Sequence, residues 1–237
     1  LFCVVSLIPL ALLMRRRAPA QKPQTGSATL SRAKGGLGLS PGVMQLLLGI
    51  AGLGCCIAMA MPQVHLVAYC GDLGYGAARG AEMLSMMLGL GVISRTAGGF
   101  VSDRFGSIFA LVLGSAMQGL ALTLFLFFDS LTSLYLISAL FGLFQGGIVP
   151  NYAVIVRDYF PAEEAGRRVG LVLMATLVGM AAGGWMSGAI FDLTGSYAMA
   201  FLNGLIFNLV NLVIVVPLLI RSGGVLAVYH QRRMKPA

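Results

Sequence analysis

Arg95 is the residue whose position most needs a chemical reason. It stands in a segment, about 80–101, that is apolar apart from itself and Glu82. A guanidinium in such surroundings is costly unless it faces water or protein. Facing an aqueous cavity, it could hold a carboxylate through two parallel hydrogen bonds. The bland alternative is an arginine that snorkels to lipid headgroups or pairs structurally with an acid. His65 follows Pro62 in another apolar run. An imidazole titrates near neutrality, so His65 could carry a proton or simply close a gate through a hydrogen bond. Gln145, Asn151 and Tyr152 bracket Gly146, Gly147 and Pro150. Gln145 and Tyr152 are seven residues apart and would share a helix face. Pro150 withholds a backbone donor and predicts a local opening. These polar groups could line a path or bond helix to helix. A last cluster, Gly99-Phe100-Val101-Ser102-Asp103-Arg104-Phe105-Gly106, puts Asp103 and Arg104 in a turn. There they could bond across a seam, Arg104 with Glu163 or Glu164, or remain solvated.

No Ser/His/Asp grouping, metal-ligand spacing or phosphate-cradling loop accompanies these residues, so neither an enzyme nor a bound cofactor is expected. The four cysteines, Cys3, Cys55, Cys56 and Cys70, lack ligand spacing and read as buried thiols. Arg79 and Glu82 have the spacing of a surface ion pair. Gln118, Asn203, Asn208 and Asn211 read as structural hydrogen-bonding groups. The period of Trp185 decides nothing.

The elements that must position these residues follow from composition. Of 237 residues, 58% are hydrophobic and only 10% charged, which excludes a soluble domain of this size. Charge-free runs cover 35–71, 105–128, 130–156, 169–191 and 193–220. Each exceeds the roughly 20 residues that cross a bilayer as a helix. The expected fold class is an all-α polytopic membrane protein. Helices are expected near 43–69, 80–101, 107–128, 131–156, 169–190 and 197–220. Residues 1–14 read as the end of an earlier helix, 15–42 as a polar linker, and 221–237 as a basic tail. An interfacial helix is the other reading of 1–14.

Alternating the helices puts Arg15, Arg16, Arg17, Lys22, Arg32, Lys34, Arg104, Arg157, Arg167, Arg168, Arg221, Arg232, Arg233 and Lys235 on one face, 14 of the 16 basic residues. The opposite loops receive Arg79 and one each of Asp72, Asp129 and Asp192. The positive-inside rule makes the basic face cytoplasmic. The net charge of +8 thus sits beside helices at a membrane surface and does not imply nucleic acid. A short repeat joins GGFVSDRFGS at 98–107 with GGWMSGAIFDLTGS at 183–196. Their aspartates, Asp103 and Asp192, lie three helices apart, as an inverted three-plus-three repeat requires. Gly89, Gly91, Gly98 and Gly99 would permit close helix approach, although glycine is common in membrane helices.

These motifs resemble the major facilitator superfamily, specifically its C-terminal six-helix half. The 99–106 turn looks like the loop after helix eight, with Ser107 at a position that is usually basic. RDYFPAEEAGRR at 157–168 is similar to the connection between helices ten and eleven. GAIFDLTGSY at 188–197, and His65-Leu66-Val67-Ala68-Tyr69 followed by Gly71-Asp72-Leu73-Gly74, resemble the monocarboxylate and oxalate–formate branch.

The resemblance implies half of a twelve-helix secondary carrier of a small organic anion, most simply a monocarboxylate. It would work by alternating access in a cell membrane, the bacterial inner membrane being the expected one. It implies Arg95 as the carboxylate ligand, with His65, Gln145, Asn151 and Tyr152 along the path. Gly99, Asp103, Arg104 and Gly106 would form the conformational-switch motif. Two departures are visible. Eukaryotic monocarboxylate transporters carry an Asp one turn before this Arg, where Gly91 stands. Oxalate carriers use a second cation, a Lys in helix eleven, yet no Lys or Arg occurs between 169 and 220. The implied partners are the anion, protons or a counter-anion, membrane lipid, and an N-terminal six-helix half beyond this sequence. A non-transporting receptor or assembly protein, a channel, and a carrier of another solute remain as alternatives.

Overall fold

The computed structural model describes residues 38–223. The expected helix end at 1–14, most of the 15–42 linker, most of the basic tail, and Cys3 lie outside the described residues. Seven helices follow in order: α1 Pro41–Asp72, α2 Ala77–Phe105, α3 Ser107–Phe127, α4 Leu131–Gln145, α5 Ile148–Tyr159, α6 Ala162–Thr194 and α7 Tyr197–Arg221. Helices α4 and α5 together make one span, so six spans are long and apolar enough to cross a membrane. The chain is a multi-pass integral membrane protein.

Local signals set the helix ends. Ser40 caps α1, accepting from the Val43 N–H at 3.4 Å, and Pro41 opens the first turn, where no N–H is needed. Ser130 caps α4 in the same way. Pro62 lies inside α1 and leaves the Ala58 carbonyl without its helical donor. That carbonyl faces Gly204 of α7, where an added Cβ would lie 3.4 Å away.

Three boundaries differ from the sequence expectation. Helix α2 continues through Asp103 and Arg104, so the turn after it shrinks to Gly106. Gly106 has φ 99° and ψ 151°, a conformation open essentially only to glycine. The 157–168 loop shrinks to Phe160 and Pro161, which places Glu163, Glu164, Arg167 and Arg168 on the first turns of α6. Charged residues prolong these helices because they stand beyond the hydrocarbon, where their side chains are solvated and backbone bonding is still favourable. The expected 131–156 helix breaks at Gly146–Gly147, ahead of Pro150. Pro150 therefore sits in the first turn of α5, where its missing N–H costs least.

Sequence neighbours pack side by side. The contact of α1 with α6 is the broadest, and that of α2 with α4 is also among the broad ones. Lipid tails are as apolar as leucine, so such contacts depend on close packing rather than on escape from water. Both are built on glycine pairs four residues apart. Added Cβ atoms on Gly142 and Gly146 of α4 would lie 2.3 and 2.1 Å from the carbonyl oxygens of Met87 and Gly91. Added Cβ atoms on Gly179 and Gly183 of α6 would lie 2.4 and 2.6 Å from those of Leu53 and Ile57. The obstacle is backbone in each case, so no side-chain shift relieves it. Gly89 and Gly99, by contrast, face open space.

Replacing Gly146 or Gly183 by Val should lower thermal stability in detergent by at least about 1–3 kcal/mol, the usual scale of overpacking. Gly89→Ala should hold or raise it, since the position is open and Ala is the better helix former.

Candidate functional site

Arg95 sits four residues past Gly91, the midpoint of α2, or about 6 Å along the helix axis. It is exposed and bonds no described residue. The buried stripe of α2 runs through Gly80, Met83, Met87, Gly91, Ser94 and Ser102, leaving the rest of the helix uncovered. Helices α2 and α6 are the least enclosed spans, while α1 is the most enclosed. The guanidinium therefore stands on a face that this six-span unit does not cover.

Gln145 is buried at the end of α4 and accepts a 2.5 Å hydrogen bond from Gln63 Nε2 of α1. Its own Nε2 lies against Gly91, one helical turn from Arg95. Sequence reasoning missed Gln63. The signal was a polar side chain directly after Pro62 in a charge-free run. A Cβ added at Gly91 would lie 3.8 Å from Gln145 Nε2, in ordinary contact.

Asn151 serves the helix break. Its backbone N–H and its Nδ2 both donate to the Gly147 carbonyl, at 3.3 and 2.8 Å. The Gly147 N–H in turn donates to Ser94 Oγ at 3.2 Å. The Gly147 N–H left by the break is thus satisfied from α2, and the Gly147 carbonyl takes a second bond from the Asn151 side chain. Ser94 was also missed, because a single serine in a membrane helix carries no distinguishing pattern. Ser94, Gly98, Gly114, Phe144, Gly147 and Asn151 line a mostly apolar cavity of about 230 Å³ at this point.

Tyr152 points elsewhere. It is fully buried, and its hydroxyl donates to Asn211 Oδ1 of α7 at 2.9 Å. Asn211 Nδ2 donates to Ser115 Oγ and Asn208 Nδ2 to the Ser115 carbonyl. Gln118 Nε2 donates to the Cys55 carbonyl. The network ties α1, α3, α5 and α7 together. The helix break separates Tyr152 from Gln145, so the two do not present one continuous face. Cys55, Cys56 and Cys70 are buried free thiols.

His65 Nε2 lies 3.0 Å from the Gly184 carbonyl of α6. A carbonyl only accepts, so this nitrogen is the donor. Gly188 faces the ring, and an added Cβ there would be in ordinary contact with His65 Cε1 at 3.5 Å. Trp185, one residue on from Gly184, is exposed.

Asp103 and Arg104 occupy the last turn of α2, and both are engaged by other residues. Glu164, considered above as a partner for Arg104, pairs instead with Arg168, whose Nε and Nη2 approach it at 2.7 and 2.6 Å. Arg168 also lies over the Phe160 ring at 4.3 Å. Ser107, at the usually basic position, donates to Asp158 Oδ2 of α5 at 2.8 Å. On the opposite face Glu82 pairs with Arg79 at 2.9 Å and accepts from the Tyr135 hydroxyl of α4.

The predicted residues thus fall on separate seams. Arg95, Gln145 and Asn151 approach one stretch of α2, at Gly91 to Gly98. With this geometry fixed, residues 84–231 match the Major Facilitator Superfamily. The chain belongs to that superfamily. Among curated proteins this major facilitator chain is 29% identical over 143 residues to Monocarboxylate transporter 13 of Rattus norvegicus, covering 60% of this chain and 33% of that one. It is 25% identical over 198 residues to the MFS transporter asaE of Aspergillus flavus, covering 82% of this chain and 43% of that one. The matched part therefore spans a third to under half of these relatives. Its fold is similar to part of the peptide transporter POT. A structure with sulfate gives a TM-score of 0.68 at 19% identity, covering 75% of this chain and 38% of that one. A mutant form with alafosfalin gives 0.72 at 16%, covering 82% and 42%.

Ser94→Ala should strand the buried Gly147 N–H and cost about 1–3 kcal/mol in thermal unfolding. Ser85→Ala, which removes an exposed hydroxyl bonded only to the Ala81 carbonyl, should leave stability unchanged.

Proposed function

We propose that this chain is the C-terminal half of a twelve-helix carrier of a small organic anion, and that Arg95 is the carboxylate ligand. One observation carries the reading: an exposed guanidinium without a partner among the described residues, about 6 Å from the middle of a membrane-spanning helix. Such a charge is tolerated where it faces water, a second set of helices or an anion. A bidentate carboxylate satisfies it best. A single cation fits a monoanion better than a dianion. The relatives named monocarboxylate transporters support the same class. The length shared with them supports a second six-helix half packed on the open face of α2 and α6.

Alternating access by inverted repeats also has support in the packing. Exchanging α1 with the α4–α5 span, α2 with α6, and α3 with α7 maps the α1·α6 contact onto α4·α2, and α1·α7 onto α4·α3. Gly106 and Gly195, the two glycines of the sequence repeat, both end their helices at positive φ, 99° and 65°. In this reading the basic face is cytoplasmic. Gln145 and Gln63 flank the bound anion, and His65 serves as a gate contact. Asn151 and Tyr152 act on the path indirectly, by bracing the helix break. Gly99, Asp103, Arg104 and Gly106 form the switch segment. The anion moves with protons or against a second anion.

In the full-length protein reconstituted in liposomes, Arg95→Lys should cut uptake of a preferred monocarboxylate at least tenfold at unchanged protein abundance, with Arg95→Ala at background. Wild-type uptake by Arg95→Ala would remove Arg95 from the site. Absence of flux for every carboxylate in a broad panel would favour a receptor or assembly role.

A further inference from the structure

On the face opposite the basic one, a cavity of about 610 Å³ opens between the ends of α1 and α3, the α3–α4 connection and the α6–α7 turn. Its volume is that of a small-molecule site. Tyr69, Phe125, Phe191 and Tyr197 form aromatic walls. The rings brace one another. Phe191 stacks on Tyr197 with centroids 4.1 Å apart, and Tyr69 meets Tyr197 edge-on at 5.2 Å. Asp72, from the end of α1, and Asp129, from the α3–α4 connection, line the same cavity. Both are exposed, and neither forms an ion pair with a described residue. No Lys, Arg or His is among the described residues lining it. Arg79, the basic residue of this face, is engaged by Glu82.

Aromatic faces and carboxylates share one preference, a cation. The aromatic walls select what kind. A hydrated metal ion gains little from ring faces and needs several oxygen ligands. No group of three His, Cys, Asp or Glu suited to a metal occurs among the described residues. An alkylammonium group carries apolar carbon beside its charge, is attracted by ring faces and is neutralised by a carboxylate.

We propose that this cavity binds an alkylammonium group, at a site separate from Arg95. Helix α2 contributes nothing to its described walls, and Arg95 lies 18 residues, about 27 Å, along α2 from the helix end at this face. The inference therefore stands independently of the carboxylate reading. The same chemistry has two sources. One is a soluble amine. The other is the headgroup of an ethanolamine or choline phospholipid, since the cavity opens where the spans end.

The test uses the full-length protein in nanodiscs and radiolabelled tetramethylammonium as the probe. In discs of phosphatidylglycerol alone, binding should saturate. Asp72→Asn, Asp129→Asn and Tyr197→Leu should each weaken it at least tenfold. Asp72→Glu and Tyr197→Phe, which keep the charge and the ring, should retain it. Asp192→Asn, which changes a carboxylate near the turn but outside the cavity, should have no effect. Repeating the measurement in phosphatidylethanolamine discs separates the sources. Loss of probe binding there identifies the lipid headgroup as occupant, and retention identifies a soluble amine. Absence of saturable binding in phosphatidylglycerol discs would overturn the proposal. So would binding indifferent to Asp72, Asp129 and Tyr197, or full displacement by equimolar sodium or calcium.

Discussion

Six helices in lipid cannot be held together by the hydrophobic effect alone, because the surrounding tails are as apolar as their side chains. What holds this bundle is backbone laid against backbone. Gly142 and Gly146 bring α4 onto the carbonyls of α2, and Gly179 and Gly183 bring α6 onto those of α1. Gly80 brings α2 onto α1, where an added Cβ would meet Val67 Cα at 2.7 Å. Every other feature is placed by these approaches. They bring Ser94 within reach of the Gly147 N–H, and they let the Gln145 amide rest on Gly91. They also turn a limited strip of α2 inward, so that the remainder, Arg95 included, faces out.

The polar residues inside the spans divide by what answers them. Tyr152, Asn208, Asn211 and Ser115 answer one another in the interior of the unit, and Gln118 answers Cys55 there. Ser94 and Asn151 answer the broken backbone at Gly147. His65 answers a carbonyl of α6. Arg95, near mid-span, has no answer among the described residues. A fixed charge in that position must be met from outside the six-span unit.

The spans were legible because a charge-free run long enough to cross the hydrocarbon is rarely anything but a membrane helix. Helix ends were less so. Charges at Asp103, Arg104, Glu163 and Glu164 read as turn residues, yet helices continue through them once clear of the hydrocarbon. The roles of individual glycines were not legible at all. Gly89 and Gly91 lie two residues apart in the same segment, but only Gly91 meets a neighbour, and the difference is one of rotation about an axis. The same holds for the polar side chains. The period placed Gln145 and Tyr152 together, and the break at Gly146–Gly147 placed them apart. Ser94 gave no signal, and Gln63 only that of a polar residue after Pro62, because their importance comes from what crosses them.

The connection between α2 and α3 is one residue long, and that residue is held at φ 99° by hydrogen bonds on both sides, from Gly106 N–H to Ser102 and from Ala110 N–H to Gly106. A hinge so short has no slack. The first residue beyond it, Ser107, is fastened to Asp158 near the end of α5. Helices α2, α3 and α5 are thus joined end to end like the bars of a linkage. The arm that carries Arg95 is therefore tied to the α4–α5 span at two levels: through Gly106 and Ser107 at the basic face, and through Ser94 at the break itself.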